Sequence, residues 1–156
     1  MPATADAVRS LFVPVTGGTL LLPGTVVAEI VPYAEPRPVS AGADPWLVGL
    51  FDWRDYRIPL VAYEAAFGQP VPTSGSATRI AVLKALSNLD GLPYFGIIAQ
   101  QIPRLVTVQE DSIERLDAEG ESAAFAGQAV LANGEPAVIP DLDWLETQLH
   151  RQLHKE

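Results

Sequence analysis

With 156 residues, the chain is large enough for one domain with a sizeable core, or for two small lobes that share one, and too short for a long multidomain arrangement. Hydrophobic residues at 48% and charged residues at 19% are ordinary globular usage and exclude disorder over most of the length. A net charge of −9 repels phosphate backbones and anionic membrane surfaces, so nucleic acid is not an expected partner, and the absence of cysteine removes disulfides, thiolate nucleophiles and Cys-type metal sites together.

Residues 1–10 read as an N-terminal tail, because Met1 to Arg9 offer neither a cationic start nor a sustained apolar run that would mark a secretory signal. No segment approaches the roughly 20 apolar residues that span a bilayer, so a cytoplasmic protein without direct membrane insertion is expected. Beyond the tail, short β-rich runs recur between Gly, Pro and Asn-Gly punctuation, and helical periodicity is nearly absent until the end. Leu11 to Val15 and Thr19 to Leu22 flank Gly17-Gly18, which supplies the positive φ of a two-residue hairpin turn, and Pro14 belongs on an edge or at an irregularity. A third strand covers Ala28 to Val31, followed by a proline-rich connection from Pro32 to Gly42.

The run from Trp46 to Val61 reads as two apolar strands folded back at Arg54-Asp55, a docking hairpin whose turn residues tolerate positive φ. Tyr63 to Phe67 forms a short helical turn stopped by Gly68, and Gln69 to Thr78 is a linker. A second lobe then opens with Arg79 to Leu86 and Pro93 to Ala99 around the turn Asn88-Leu89-Asp90-Gly91, and Arg104 to Val108 extends it. The acidic stretch Gln109 to Ala124 reads as a solvated loop. Phe125 to Ala132 and Glu135 to Ile139 flank Asn133-Gly134, the most hairpin-specific dipeptide in the chain, with Pro136 suggesting an edge strand. Asp141 caps a terminal helix in which Leu142, Leu145, Leu149 and Leu153 recur at helical spacing. Asp143 and Glu146 early in it, with His150, Arg151, His154 and Lys155 late, match the sign of the helix macrodipole.

Chemistry is hard to assemble from these parts. The two histidines, His150 and His154, lie four apart on the terminal helix, where a buried triad is hard to build; their spacing permits a two-histidine metal site on one helix face, yet HExxH is absent. Thr73-Ser74-Gly75-Ser76 lacks the phosphate-loop pattern, and Asp141-x-Asp143 lacks the glycine and distal glutamate of a calcium loop. Glu29, Asp52, Asp55 and Glu64 are carboxylates that spacing does not pair, although a carboxylate-dependent hydrolase would need such a pair. Trp46, Trp53, Trp144, Phe51, Tyr56 and Phe95 pack in a core or make a stacking platform, the latter implying a β-barrel that binds a carbohydrate or nucleotide. No catalytic residue, cofactor or metal site is assigned, and a rigid β scaffold with apolar edges suits recognition of other proteins.

The order of motifs resembles the CheW-like domain, the adaptor module of bacterial chemosensory arrays. The resemblance is carried by Leu22-Pro23 with Val27-Ala28-Glu29-Ile30; by Trp46 to Arg54 leading into Ile58-Pro59-Leu60-Val61; by Gly96-Ile97-Ile98-Ala99 before Ile102; and by Asn133-Gly134 through Ile139-Pro140-Asp141. It implies a mainly β protein of two five-stranded SH3-like β-barrel subdomains with a C-terminal α-helix, forming one domain over residues 11–149, with 150–156 as the end of the helix and a tail. It also implies a non-catalytic adaptor that bridges the regulatory domain of a CheA-type histidine kinase and the cytoplasmic tip of a methyl-accepting chemoreceptor. Glu29, Gly49 and Arg54 are the positions carried over, and Leu50, Phe51 and Trp53 on the same hairpin are partner-binding or site-shaping candidates. Glu29 and Arg54 invite an ion pair that orients the hairpin, against the plainer reading of an exposed pair worth about 0–1 kcal/mol. Departures from the family pattern are Asp55 where glycine follows the hairpin arginine, Ala62-Tyr63 where an aspartate follows the strand, and Gln100 after the second glycine motif. Such divergence is similar to the CheW-like accessory proteins of type IV pilus and twitching systems.

Overall fold

The computed structural model describes residues 7–38, 44–67, 75–86, 92–116 and 127–153. In chain order the strands are β1 (Ala7–Val15), β2 (Gly18–Pro23), β3 (Val27–Pro32), β4 (Leu47–Trp53), β5 (Tyr56–Val61), β6 (Arg79–Lys84), β7 (Tyr94–Ala99), β8 (Arg104–Gln109), β9 (Ile113–Arg115), β10 (Gly127–Ala132) and β11 (Glu135–Pro140), followed by the helix α1 (Leu142–Leu153). They form a six-stranded sheet in the order β8-β1-β2-β11-β10-β9 and a five-stranded sheet in the order β3-β6-β7-β5-β4. This is the mainly β, two-lobed architecture with a terminal helix that the resemblance implies, with one strand added to the first sheet. The extra strand, β9, follows the 3₁₀ turn Glu110–Ser112 and lies inside the acidic stretch read as a loop; Ile113 packs inward and pairs opposite Ala132.

The lobes are not successive halves of the chain. β6 and β7, expected to open a second lobe, belong with β3, β4 and β5, and the N-terminal hairpin belongs with the C-terminal strands. The reason is β1, which pairs with β2 through Ser10 to Val15 and with β8 through Ala7 to Phe12. It also starts at Ala7, ahead of the expected Leu11.

Uninterrupted apolar runs such as Leu20-Leu21-Leu22 and Ile80-Ala81-Val82-Leu83 exist because both faces of each sheet are covered. Successive side chains on a strand point to opposite faces. Leu21 and Phe12 face the interior of the six-stranded lobe, while Leu20, Leu22 and Val13 face a core shared with the other lobe. In the five-stranded lobe Ile80, Val82 and Leu60 point into its own interior, and Ala81, Leu83, Val61, Phe95 and Ile97 meet the shared core. Leu145 and Leu149 of α1, both fully buried, complete that shared core, with Leu142 and Leu153 packed at its rim.

Turn chemistry agrees with the sequence in kind more than in register. The β1–β2 turn is Thr16-Gly17, with Gly17 at φ 86°, and Gly18 is already paired with Val15, so the expected Gly17-Gly18 turn is displaced by one residue. Asn133 (φ 51°) and Gly134 (φ 80°) make the β10–β11 turn as expected. Three prolines sit where their missing N–H removes no ladder bond. Pro14 lies past the end of the β8 pairing, and its carbonyl accepts the Gln100 N–H at 2.8 Å. Pro59 lies just before β5 meets β7 at Leu60. Pro136 lies before β11 meets β2 at Val138, so β11 is an interior strand and not the edge that this proline suggests.

Asp141 caps α1, its Oδ1 accepting the Trp144 N–H at 3.0 Å. The helix is then fastened to the five-stranded lobe at two points. Glu146, fully buried, accepts the Leu86 N–H at 2.8 Å, and the Gln152 amide exchanges two hydrogen bonds with Asp44, at 2.9 and 3.0 Å. No helix among the described residues is long and apolar enough to cross a membrane. Gly68, the turn at 88–91 and most of the 69–78 linker lie outside the described residues.

Candidate functional site

The hairpin of β4 and β5 is held from both sides. Leu50 is half-buried and uses both backbone groups on Arg37, whose N–H donates to the Leu50 carbonyl at 2.7 Å and whose carbonyl accepts the Leu50 N–H at 2.8 Å. This strap passes so close to Gly49 that a Cβ there would collide with the Arg37 carbonyl oxygen and stand 2.9 Å from the Pro36 Cβ. On the inner side Phe51 packs over Gly96, where a Cβ would lie 2.9 Å from the Phe51 ring. Phe51 and Trp53 are 5% and 6% exposed, so they shape the hairpin from within rather than offering free surface.

Arg54 turns the chain at φ 54°, a left-handed conformation that costs an L-residue about 1–2 kcal/mol. Its guanidinium lies 4.6 Å from the centre of the Trp53 ring and donates to Glu29 Oε1 at 3.1 Å. The same oxygen accepts the Trp53 indole N–H at 3.0 Å. Arg54 and Glu29 side chains are 64% and 42% exposed, which limits their ion pair to about 0–1 kcal/mol of stability. Glu29 on β3 thus joins the buried indole and the hairpin tip to the opposite edge strand of the sheet. Tyr94 joins the cluster with its ring 4.9 Å from those of Trp53 and Tyr56. Below the tip, Asp52 bridges Arg57 at 3.1 Å and Arg37 at 3.4 Å.

Two open grooves meet at Glu29. One, of about 380 Å³, runs from β3 to the hairpin between Val31, Ala34, Phe51, Trp53 and Arg54. The other, of about 550 Å³, lies between the lobes, with β1 and β8 on one side and β3 on the other. Its walls are Val8, Leu11, Val27, Ile30 and Leu105, with Arg9 and Glu29 as its charged residues. Val8 and Leu105 are 50% and 69% exposed, unusual for apolar residues on adjacent strands of a sheet. Sequence reasoning missed Arg37, Val8 and Leu105. Arg37 was hidden in a proline-rich connection, and β1–β8 pairing, which sets Val8 opposite Val108 and Leu105 opposite Leu11, brings Val8 and Leu105 to one groove.

The other chemistries find less support in the geometry. Trp46 is 7% exposed and Phe95 fully buried, so with Trp53 they form core and not an open stacking platform. Glu29 and Asp52 border one groove, but each is engaged by arginine, and Glu64 is buried apart from them. Among the described residues no group of three or more His, Asp or Glu side chains could hold a metal ion; His154 lies outside them.

Residues 9–148 match the family described as the CheW-like domain. The fold is similar to the crystal structure of the scaffolding protein TtCheW from Thermoanaerobacter tengcongensis, with a TM-score of 0.70 and 18% identity over 86% of this chain and 84% of that one. No curated protein matches the chain.

Proposed function

The chain belongs to the CheW-like domain family, and from that premise we propose that it is a non-catalytic adaptor coupling chemoreceptors to a CheA-type histidine kinase. The observation that carries this reading is the apolar groove between the lobes, continuous at Glu29 with the hairpin groove. β3, an edge strand beside both grooves, has a bulge between Val27 and Glu29 and ends in Pro32, features that discourage strand addition. The groove therefore suits a helix laid across it, as a receptor tip would present, while the hairpin and its lobe suit the barrel surface of a kinase regulatory domain. Signal transfer is then geometric: each partner favours one arrangement of the scaffold by differential contact. A chemosensory system driving type IV pili and twitching is the finer reading, supported by the departures at Asp55, Ala62 and Gln100, and deletion strains scored for swimming against twitching would separate the outputs.

Titration calorimetry of the intact chain with a receptor-tip fragment and with a kinase regulatory domain tests the core reading. Leu105→Glu, at a site already solvated, is expected to fold normally and to weaken the receptor fragment at least tenfold, about 1.4 kcal/mol. Arg54→Ala is expected to change stability by less than about 1 kcal/mol while weakening the kinase domain. Unaltered affinities in folded variants, or saturable binding of a sugar or nucleotide in place of both proteins, reject the assignment.

A further inference from the structure

Glu64 stands on the 3₁₀ turn Tyr63–Phe67 that follows β5, yet its carboxylate serves the opposite lobe. Its Oε2 accepts the Thr16 N–H at 2.7 Å, at the tip of the β1–β2 hairpin. The side chain is fully buried, and Oε1 has no hydrogen-bond partner among the described residues. A second orphan lies against β1: Gln100, just after β7, donates its N–H to the Pro14 carbonyl at 2.8 Å, while its buried Nε2 has no partner among the described residues. The segment from Pro14 to Thr16, where the lobes touch, is thus flanked by an unused acceptor and an unused donor, and buried polar atoms in that state are uncommon.

Burial pushes the Glu64 carboxyl above its ordinary range, and the Thr16 N–H and hydroxyl pull the other way. Among the described residues no charged side chain contributes to that shift. The neighbouring titratable group on its own turn is Tyr63, kept protonated by burial and by the Asp141 carboxylate at the start of α1. Thr16 from the β1–β2 turn and Gln100 just after β7 do not titrate.

We propose that Glu64 is a proton-operated latch between the lobes: protonated, it stays buried and holds the Thr16 amide; ionised, it draws water into the junction and releases the β1–β2 turn from the five-stranded lobe. Because β1 also carries Val8 and Leu11, release alters one wall of the inter-lobe groove. The latch is a property of the fold and does not depend on the identity of any partner.

An NMR titration of the intact chain from about pH 4 to about pH 8 tests it, following the Glu64 side-chain carboxyl carbon and the Thr16 amide. Both signals are expected to move together with one midpoint above the ordinary carboxylate range. Thr16 amide exchange, corrected for its intrinsic base catalysis, is expected to accelerate through that midpoint. In Glu64→Gln, which keeps an acceptor for the Thr16 N–H without a charge to expose, the extra acceleration disappears. A Glu64 carboxyl that titrates at its ordinary value, or a Thr16 exchange profile that is the same with glutamate and glutamine, overturns the proposal. The titration of the unmodified chain needs no variant, so it decides the matter even where the glutamine form folds poorly.

Discussion

At Gly49, Arg54 and Glu64 a single side chain, or its absence, decides a local arrangement. Gly49 is required by proximity: the strap at Pro36 and Arg37 occupies the space a methyl group would need. Gly49→Ala is expected to lower unfolding stability by about 1–3 kcal/mol in urea titrations, and to disturb the Arg37 to Leu50 bridge. A neutral result would show that the strap can move aside at no cost. Arg54 turns the hairpin in a left-handed conformation, and contacts with Trp53 and Glu29 offset the strain. Glu64 sets a pH dependence whose sign follows from burial. Its folded-state pKa lies above its unfolded value, so its contribution is fully present below the ordinary 4.5 and is lost as pH rises through the raised value. Denaturant titrations at a series of pH values should show Glu64→Gln gaining stability relative to the parent as pH rises. A difference independent of pH would mean that the carboxyl is not perturbed.

Among the elements, the β4–β5 hairpin and the terminal helix were both legible before any tertiary information. The hairpin was legible because a polar two-residue turn separates two apolar arms, and the helix because Asp141 and four leucines at helical spacing can be read directly. Less legible was how each is held. The two-point fastening of α1 through Glu146 and Gln152 joins residues sixty or more positions apart, and no local pattern announces it. Leu149 is fully buried where the helix meets both lobes, so Leu149→Ala is expected to cost about 2–5 kcal/mol, measured by chemical denaturation. A loss below about 1 kcal/mol would mean that the helix is only laid against the surface. β9 was missed because three residues in an acidic stretch carry too little periodicity; Ile113 is its one apolar anchor.

For the whole molecule, the decisive fact is that the chain leaves the six-stranded lobe after β2, builds the five-stranded lobe, and returns with β8. Because β1 is flanked by strands from both halves of the sequence and the shared core draws on both sheets and α1, the lobes should melt together. Calorimetry is expected to give one transition with equal calorimetric and van't Hoff enthalpies, and two resolved transitions would show that the lobes are independent. The class of the fold, the strands of Leu11 to Val15 and Trp46 to Val61, the Asn133-Gly134 turn and the helix cap could be read from the residues alone, because alternation, turn chemistry and capping act over a few positions. The allotment of strands to lobes, the burial of Phe51 and Trp53, the convergence of Glu29, Trp53 and Arg54, and the solitary Glu64 at the junction emerged only with the packed structure. These depend on pairings between distant segments, which local propensity does not encode, and on which face of a doubly covered sheet meets which core.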